Sequence, residues 1–296
     1  MALLPGAFPR RAIIGLDLVP SNTRGRPRVR AGNLLNLTRT KKMIRQIQPS
    51  LVFHLAGVPA TANKKDLKNA FIDTTRNLLT ALKSHQGNRC RLILASSVTV
   101  YGRPRKTRSL LSEKSPAAPL TDYANIKWAQ EKLCLAAQNN QLDVVVARIF
   151  NLVGPSCSPH LFAGSMSHQI VRIEKNLVPP EIKTGNLNNV RDFIDIRDAA
   201  SALIALAQSG QAGQAYNVCS GRGTKLKNIL GQLVRLSKAR HKIRIITEAS
   251  RLRQKTRDAR VLVGSHKKIA RATRWTPKIS LKKSLFDTLQ SYRDRP

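Results

Sequence analysis

Short apolar runs alternate with longer segments of helical spacing along this chain. Arg11–Leu18 (RAIIGLDL) is an apolar run ending in an acid and a leucine, and Leu51–Leu55 (LVFHL) is a second. Between Leu67 and Leu82 the apolar residues recur at the three-to-four spacing of a helix. Arg91–Ala95 (RLILA) predicts a buried strand, followed by the polar pair Ser96 and Ser97. Tyr123–Ala137 reads as a helix with no glycine or proline inside, and Asp143–Ile149 (DVVVARI) as a β-branched strand. Further on, Ala215–Val218 and Ile243–Ile246 predict short strands and Leu226–Leu236 a helix. Strands alternating with helices imply an α/β fold: a doubly wound parallel sheet with helices on both faces. The stretch from Gly154 to Val190, rich in Pro, Gly and His, is expected to leave the main sheet and build a separate lobe.

Composition changes this picture in one respect. Lys and Arg number 52 against 16 Asp and Glu, a formal charge of +36. Residues 1–50 carry one acid, Asp17, and residues 222–296 carry only Glu248, Asp258, Asp287 and Asp294. Such a balance raises nucleic acid or another anionic surface as a partner, although a solvated basic surface is the simpler account. Cys90, Cys134, Cys157 and Cys219 are scattered and form no Cys-x-x-Cys pair, so neither a metal site nor a disulfide framework is expected. No apolar run approaches the roughly 18–20 residues needed to span a bilayer, and the start MALLPGAFPRR lacks the pattern of a secretory signal. The expected setting is cytoplasmic.

The candidate chemistry begins with Tyr123 and Lys127, four apart and therefore on one helix face. A free tyrosine titrates near about 10, and an adjacent cation lowers that by favouring the phenolate. A tyrosine so tuned exchanges a proton with a hydroxyl or carbonyl near neutral pH. The pair alone is weak, because Tyr-x-x-x-Lys also marks ordinary amphipathic helices. The strand that ends in ASSVTVYG strengthens it. Ser97 falls at the carboxyl end of that strand, where open α/β sheets place their sites, and its hydroxyl can bind the same oxygen.

LVFHLAG (Leu51–Gly57), ASSVTVYG (Ala95–Gly102), Tyr123-x-x-x-Lys127, ARIFNLVGP (Ala147–Pro155), VRDFIDIRDAA (Val190–Ala200) and YNVCSGRG (Tyr216–Gly223) occur in one order. Together they resemble the successive signatures of the nucleotide-sugar epimerase/dehydratase family, the extended short-chain dehydrogenases/reductases. The resemblance implies a Rossmann-like sheet, spanning residues 1–155 and also taking in about 190–220. Residues 156–189 and 221–296 would form a smaller substrate lobe. It implies NAD or NADP as cofactor and a catalytic set of Ser97, Tyr123 and Lys127. Asp17 would hold the adenosine ribose, with Asn33 and Leu34 around adenine. Leu55, Ala56 and Gly57 would line the cofactor path, and Lys127 would also bind the nicotinamide ribose. Asn151, Arg191 and Arg253 would face a nucleotide-sugar substrate, the two guanidiniums on its diphosphate. An acid at Asp17 favours NAD, while nearby Arg24 leaves NADP open. The same resemblance makes a homodimer compatible and a nucleotide sugar a better expectation than nucleic acid.

Within that family, Val98 and Thr99 stand where dehydratases carry acidic or polar catalytic residues, which argues against dehydration. TGNLNNVRDF (Thr184–Phe193) and the ending ARATRWTPKISLKKSLFDTL are similar to enzymes that reduce GDP-4-dehydro-6-deoxy-mannose. A C4 epimerase and a non-catalytic descendant with a polyanion-binding surface are the alternatives. The chain departs from the pattern at its start. The family opens with a strand, a glycine-rich turn and a helix that receives the cofactor diphosphate. Here RRAIIGLDL follows Leu3–Phe8 almost at once, so roughly 20 residues of a complete βαβ unit are not found. The first strand–helix unit is therefore expected to be incomplete and NAD(P) binding weak. Phe71 stands where the family usually has a cofactor-side asparagine, and Thr74, Ile126, Gln254 and Thr256 are smaller departures.

Overall fold

The computed structural model describes residues 4–19, 29–84, 89–104, 110–251 and 259–295. Its elements run α1 (Leu4–Ala7), β1 (Gly15–Asp17), β2 (Val29–Ala31), α2 (Leu37–Ile47), β3 (Leu51–His54), α3 (Lys64–Lys68) and α4 (Thr74–Lys83). Next come β4 (Cys90–Ser97), α5 (Asp122–Ala136), β5 (Leu142–Ile149), β6 (Asn151–Val153), α6 (Phe162–Glu174), β7 (Glu181–Thr184) and β8 (Val190–Asp195). The chain closes with α7 (Ile196–Ser209), β9 (Gln214–Val218), β10 (Gly223–Lys225), α8 (Leu226–Leu236), β11 (Arg244–Thr247), β12 (Val261–Leu262), α9 (Lys267–Thr273) and α10 (Leu281–Arg293). A π-turn, Asn69–Asp73, joins α3 to α4, and a 3-10 turn, Val98–Tyr101, follows β4. This is the expected α/β class, and the residues separate into two compact units.

The first unit comprises Met1–Ser96, Asp122–Ala147 and Ala200–Tyr216. The main sheet has the strand order β3-β4-β5-β9, with β3 parallel to β4. Val144, Val145 and Val146 in β5 are fully buried, as a strand covered on both faces must be. Around them, Ile44, Leu78, Leu82, Leu92 and Leu94 close one continuous core. Leu92 is wholly buried, so Leu92→Ala would cost about 2–5 kcal/mol in lost transfer energy and cavity. Helix α2 was not evident in the sequence, and it forms on local signals. The Asn36 side chain accepts from the Arg39 amide at 2.9 Å as N-cap, and Gln48 ends the helix at φ 46°. Asn77 of α4 ties down the turn before it, donating to the Leu34 and Leu35 carbonyls at 2.8 and 3.0 Å.

Only Gly15–Asp17 of the expected strand Arg11–Leu18 is strand. Its partner is β2, three residues long and parallel. Among the described residues these two form a sheet of their own, and β3 is an end strand of the main sheet. Phe8, just beyond α1, packs its ring 6.4 Å from that of Phe53 in β3.

The second unit comprises Ser97–Thr121, Arg148–Ala199 and Asn217–Pro296. β8 is flanked by β10 and β12 and also pairs with β6, while β11 pairs with β7. Helices α6, α8 and α10 pack through Met166, Ile170, Ile229, Leu233, Leu285 and Leu289. Several acids of this unit are held by cations or amides. Glu174 binds Arg293 at 2.7 and 2.8 Å, and Asp195 binds Arg197 at 2.8 Å and the Ser284 hydroxyl at 2.6 Å. Asp198 accepts from the Lys278 and Ile279 amides. Among the described residues no helix is long and apolar enough to cross a membrane.

Candidate active site

Helix α5 buries Ala124, Lys127, Gln130, Glu131 and Cys134, a helical stripe that carries charge where a stripe of this spacing is usually apolar. The Lys127 ammonium donates to the Ala95 carbonyl at 2.6 Å and to Gln130 Oε1 at 2.5 Å. Gln130 Nε2 donates in turn to Thr75 Oγ1 at 2.8 Å. Thr75 gives its single hydroxyl hydrogen to the Phe71 carbonyl, so His54 Nε2, 2.8 Å away, must be the donor to Thr75. His54 is thereby fixed as its Nε2–H tautomer. Burial, and then the charge of Lys127, push its pKa down to about 4, so it stays neutral. Burial also lowers Lys127 to about 8, opposed by Glu131 and Cys134. Tyr123, one turn before Lys127, sets its ring edge-on to Phe71 with centroids 5.7 Å apart.

Ser97 is the last residue of β4 rather than the residue beyond it, because hydrogen bonding carries the strand through the polar pair. Its Oγ accepts from the Thr99 amide at 3.3 Å and the Thr99 hydroxyl at 3.0 Å. Its own hydroxyl hydrogen is left to donate to another oxygen. Val98 is buried. The turn closes at Gly102, whose φ is 59° and where a Cβ would lie 1.6 Å from the Ala118 carbonyl oxygen. No other residue fits that position.

Three groups of residues sit at carboxyl ends of strands in the first unit. Asp17 ends β1 and is exposed, its carboxylate accepting a long 3.4 Å bond from the Val19 amide. Asn33 and Leu34 follow β2, where Asn33 Oδ1 accepts from the Leu35 amide at 2.9 Å. Leu55, Ala56 and Gly57 follow β3 and are exposed. In the second unit, Asn151 Nδ2 donates to the Asp192 carbonyl at 2.9 Å across the β6–β8 pair. Arg191 is the neighbour of Asp192 on β8 and donates to the Val190 and Arg260 carbonyls. The Asp192 carboxylate is fully buried and accepts four bonds, from the Ser220 amide and hydroxyl and from the Gly221 and Gly264 amides. Burial nevertheless lifts it to about 6. Arg24 and Arg253 lie outside the described residues.

A family model described as the NAD dependent epimerase/dehydratase family matches residues 10–219. The chain belongs to that family. Over 258 residues it is 31% identical to GDP-6-deoxy-D-mannose reductase of Pseudomonas aeruginosa, covering 83% of this chain and 81% of that one. UDP-glucose 4-epimerase of Dictyostelium discoideum is 30% identical over 213 residues, 63% of this chain and 59% of that one. Among solved structures, RMD from Pseudomonas aeruginosa complexed with NADPH superposes with a TM-score of 0.81 at 30% identity, covering 90% of this chain and 89% of that chain.

Membership of the epimerase/dehydratase family makes the chain an NAD-dependent enzyme by kind, and it brings the expected Rossmann-like sheet with it. The strand-end residues fit the sugar and base portions of a dinucleotide, with a carboxylate at Asp17 and open loops after β2 and β3. The diphosphate finds no counterpart among residues 4–14. Helix α1 is only four residues long, and the space beside Gly6 is open, with nothing within 4 Å of a Cβ built there. Phe71, Thr75, Gln130 and Glu131 are the site residues that sequence reasoning did not assign. For Gln130 and Glu131 the signal was polar residues at inward positions of α5, legible only once its buried face is known.

Proposed function

We propose that this chain reduces the C4 carbonyl of a GDP-4-keto-6-deoxy-hexose with NADH or NADPH. The observation that carries this reading is the inward-facing Lys127 one helical turn from Tyr123, in a chain with 31% identity to a GDP-6-deoxy-D-mannose reductase. Bound NAD(P)H supplies the hydride. Tyr123 gives its phenolic proton to the oxygen at C4, and Lys127 favours the phenolate that remains. Ser97, with Thr99 occupying its acceptor positions, donates its hydroxyl hydrogen to the same oxygen. Lys127 also meets the nicotinamide ribose, Asp17 the adenosine ribose, and Asn33, Leu34 and Leu55–Gly57 the path between. Asn151 and Arg191 hold the substrate, joined by Arg253, with a guanidinium fork suited to a diphosphate. In this assignment the substrate lobe is built by residues 156–189 and 221–296. A cytoplasmic setting and a homodimer agree with the reading.

The test is NADPH oxidation by the purified chain at high cofactor concentration, with GDP-4-keto-6-deoxy-mannose as substrate. Stoichiometric oxidation that falls roughly a hundredfold to ten-thousandfold in Tyr123→Phe supports the reading. Identity with UDP-glucose 4-epimerase keeps C4 epimerisation as the second reading. It predicts interconversion of 4-hydroxy epimers with no net cofactor oxidation, and that result would displace the first.

A further inference from the structure

Phe71 stands where the family resemblance led one to expect a cofactor-side asparagine, and the structure surrounds it with site residues. It lies in the π-turn between α3 and α4 and is 4% exposed. The Lys127 ammonium is 4.6 Å from its ring centroid. The Tyr123 ring meets it at 80°. On another side, a Cβ built on Gly57 would fall 2.5 Å from the Phe71 ring, so the ring lies directly against the Gly57 backbone. One side chain therefore touches the proposed acid, the proposed ribose-binding cation and the proposed cofactor loop. Single-turn π widenings recur at functional sites, because the extra residue re-aims a side chain inward.

We propose that Phe71 is a positioning residue for the Tyr123–Lys127 pair, its ring replacing a polar side chain as the group that seats the ammonium and orients the phenol. This rests on the reading of Tyr123 and Lys127 given above. The ring acts on Lys127 in two opposed ways. Its face attracts the cation, which favours the charged form. Its bulk excludes water, which favours the neutral form. The other groups facing Lys127 are Glu131, Cys134 and Gln130 on its own helix, the Ala95 carbonyl of β4, and His54 of β3. Tyr123, one turn away on the same helix, also packs on the Phe71 ring, so its phenol is followed alongside Lys127 when position 71 is varied.

The experiment follows the ε-carbon resonance of Lys127, assigned by its loss in Lys127→Met, through a pH titration. The wild-type midpoint is expected near 8. Phe71→Leu keeps an apolar bulk and removes the π face, so the midpoint should fall by roughly one unit. Phenylalanine carrying successively more ring fluorines at position 71 keeps the shape and weakens the face, so the midpoint should fall stepwise. Phe71→Ala admits water, so the midpoint should rise. In turnover, Phe71→Leu should lose roughly tenfold in kcat with KM nearly unchanged, the mark of an interaction that matters at the transition state. Shifts of the same sign in the Leu and Ala variants, or a fluorinated series that leaves both Lys127 and kcat unmoved, overturn the proposal. A wild-type chain without turnover on any nucleotide sugar defeats the functional reading, while the Lys127 titrations still decide the role of Phe71.

Discussion

Acid should weaken this protein through His54, opposed by Asp192, whose carboxyl, lifted to about 6, takes up its proton more readily in the folded chain. The imidazole is 3% exposed, and its pKa is pushed from 6.5 to about 4 by burial and then by Lys127. In the unfolded chain His54 takes up a proton near its ordinary value, whereas in the folded chain it resists until about pH 4. The unfolded state therefore binds more protons throughout that window, and stability falls as pH falls through it. The full window corresponds to about 3 kcal/mol, and the step from pH 7 to pH 5 to about 2 kcal/mol. The assay is urea unfolding of wild type and His54→Gln at both pH values. Wild type should lose about 2 kcal/mol more than the variant over that step. Lys127→Met should recover a minor part of the loss, because burial is the larger cause. Equal losses in wild type and His54→Gln would refute the reasoning, as would a His54 proton resonance that titrates near 6.5.

Above neutrality, kcat/KM should decline as pH rises through about 8, where Lys127 loses its proton; a profile flat to pH 10 would count against a working ammonium. Gly102→Ala should fold poorly or melt well below wild type, since it combines a left-handed φ with a backbone clash worth several kcal/mol by any measure of strain, on the order of 3 kcal/mol or more. The chain should bind NAD or NADP more weakly than micromolar in titration calorimetry, because among the described residues 4–14 no glycine turn leads into a helix long enough to meet the diphosphate; a micromolar dissociation constant would show that other groups do so.

Much of the fold was legible where strands are buried runs and helices obey one period. Leu51–Leu55 and Asp143–Ile149 differ from β3 and β5 by a residue at an end, and Leu226–Leu236 coincides with α8. The pair Tyr123 and Lys127 was legible because helical geometry alone fixes four-residue neighbours. Strands β2, β6 and β10 were not, since three residues carry no periodicity and owe their form to a neighbour across the sheet. Helix α2 keeps an inner stripe of Leu37, Thr40, Ile44 and Ile47, but its many Lys and Arg residues make the segment polar on average and masked that stripe. The inward polar face of α5 escaped for a related reason. A pattern search reads Lys, Gln and Glu as solvent-facing, and only the packed helix reveals that Lys127, Gln130 and Glu131 are enclosed.

The separate β1–β2 pair bears on how this molecule breathes. Each strand offers three residues, the pairing has no further strand beside it among the described residues, and Leu18 and Val19 just beyond β1 are 69% and 74% exposed. Few apolar contacts hold such a ribbon, so its amides should open and exchange with solvent independently of the rest, at a small fraction of the global unfolding free energy. Deuterium should enter Leu16 and Arg30 long before it enters Leu92 or Val145. The carboxylate of Asp17 would then ride on the least protected element of its unit, and a dinucleotide bound there would slow exchange across the whole ribbon.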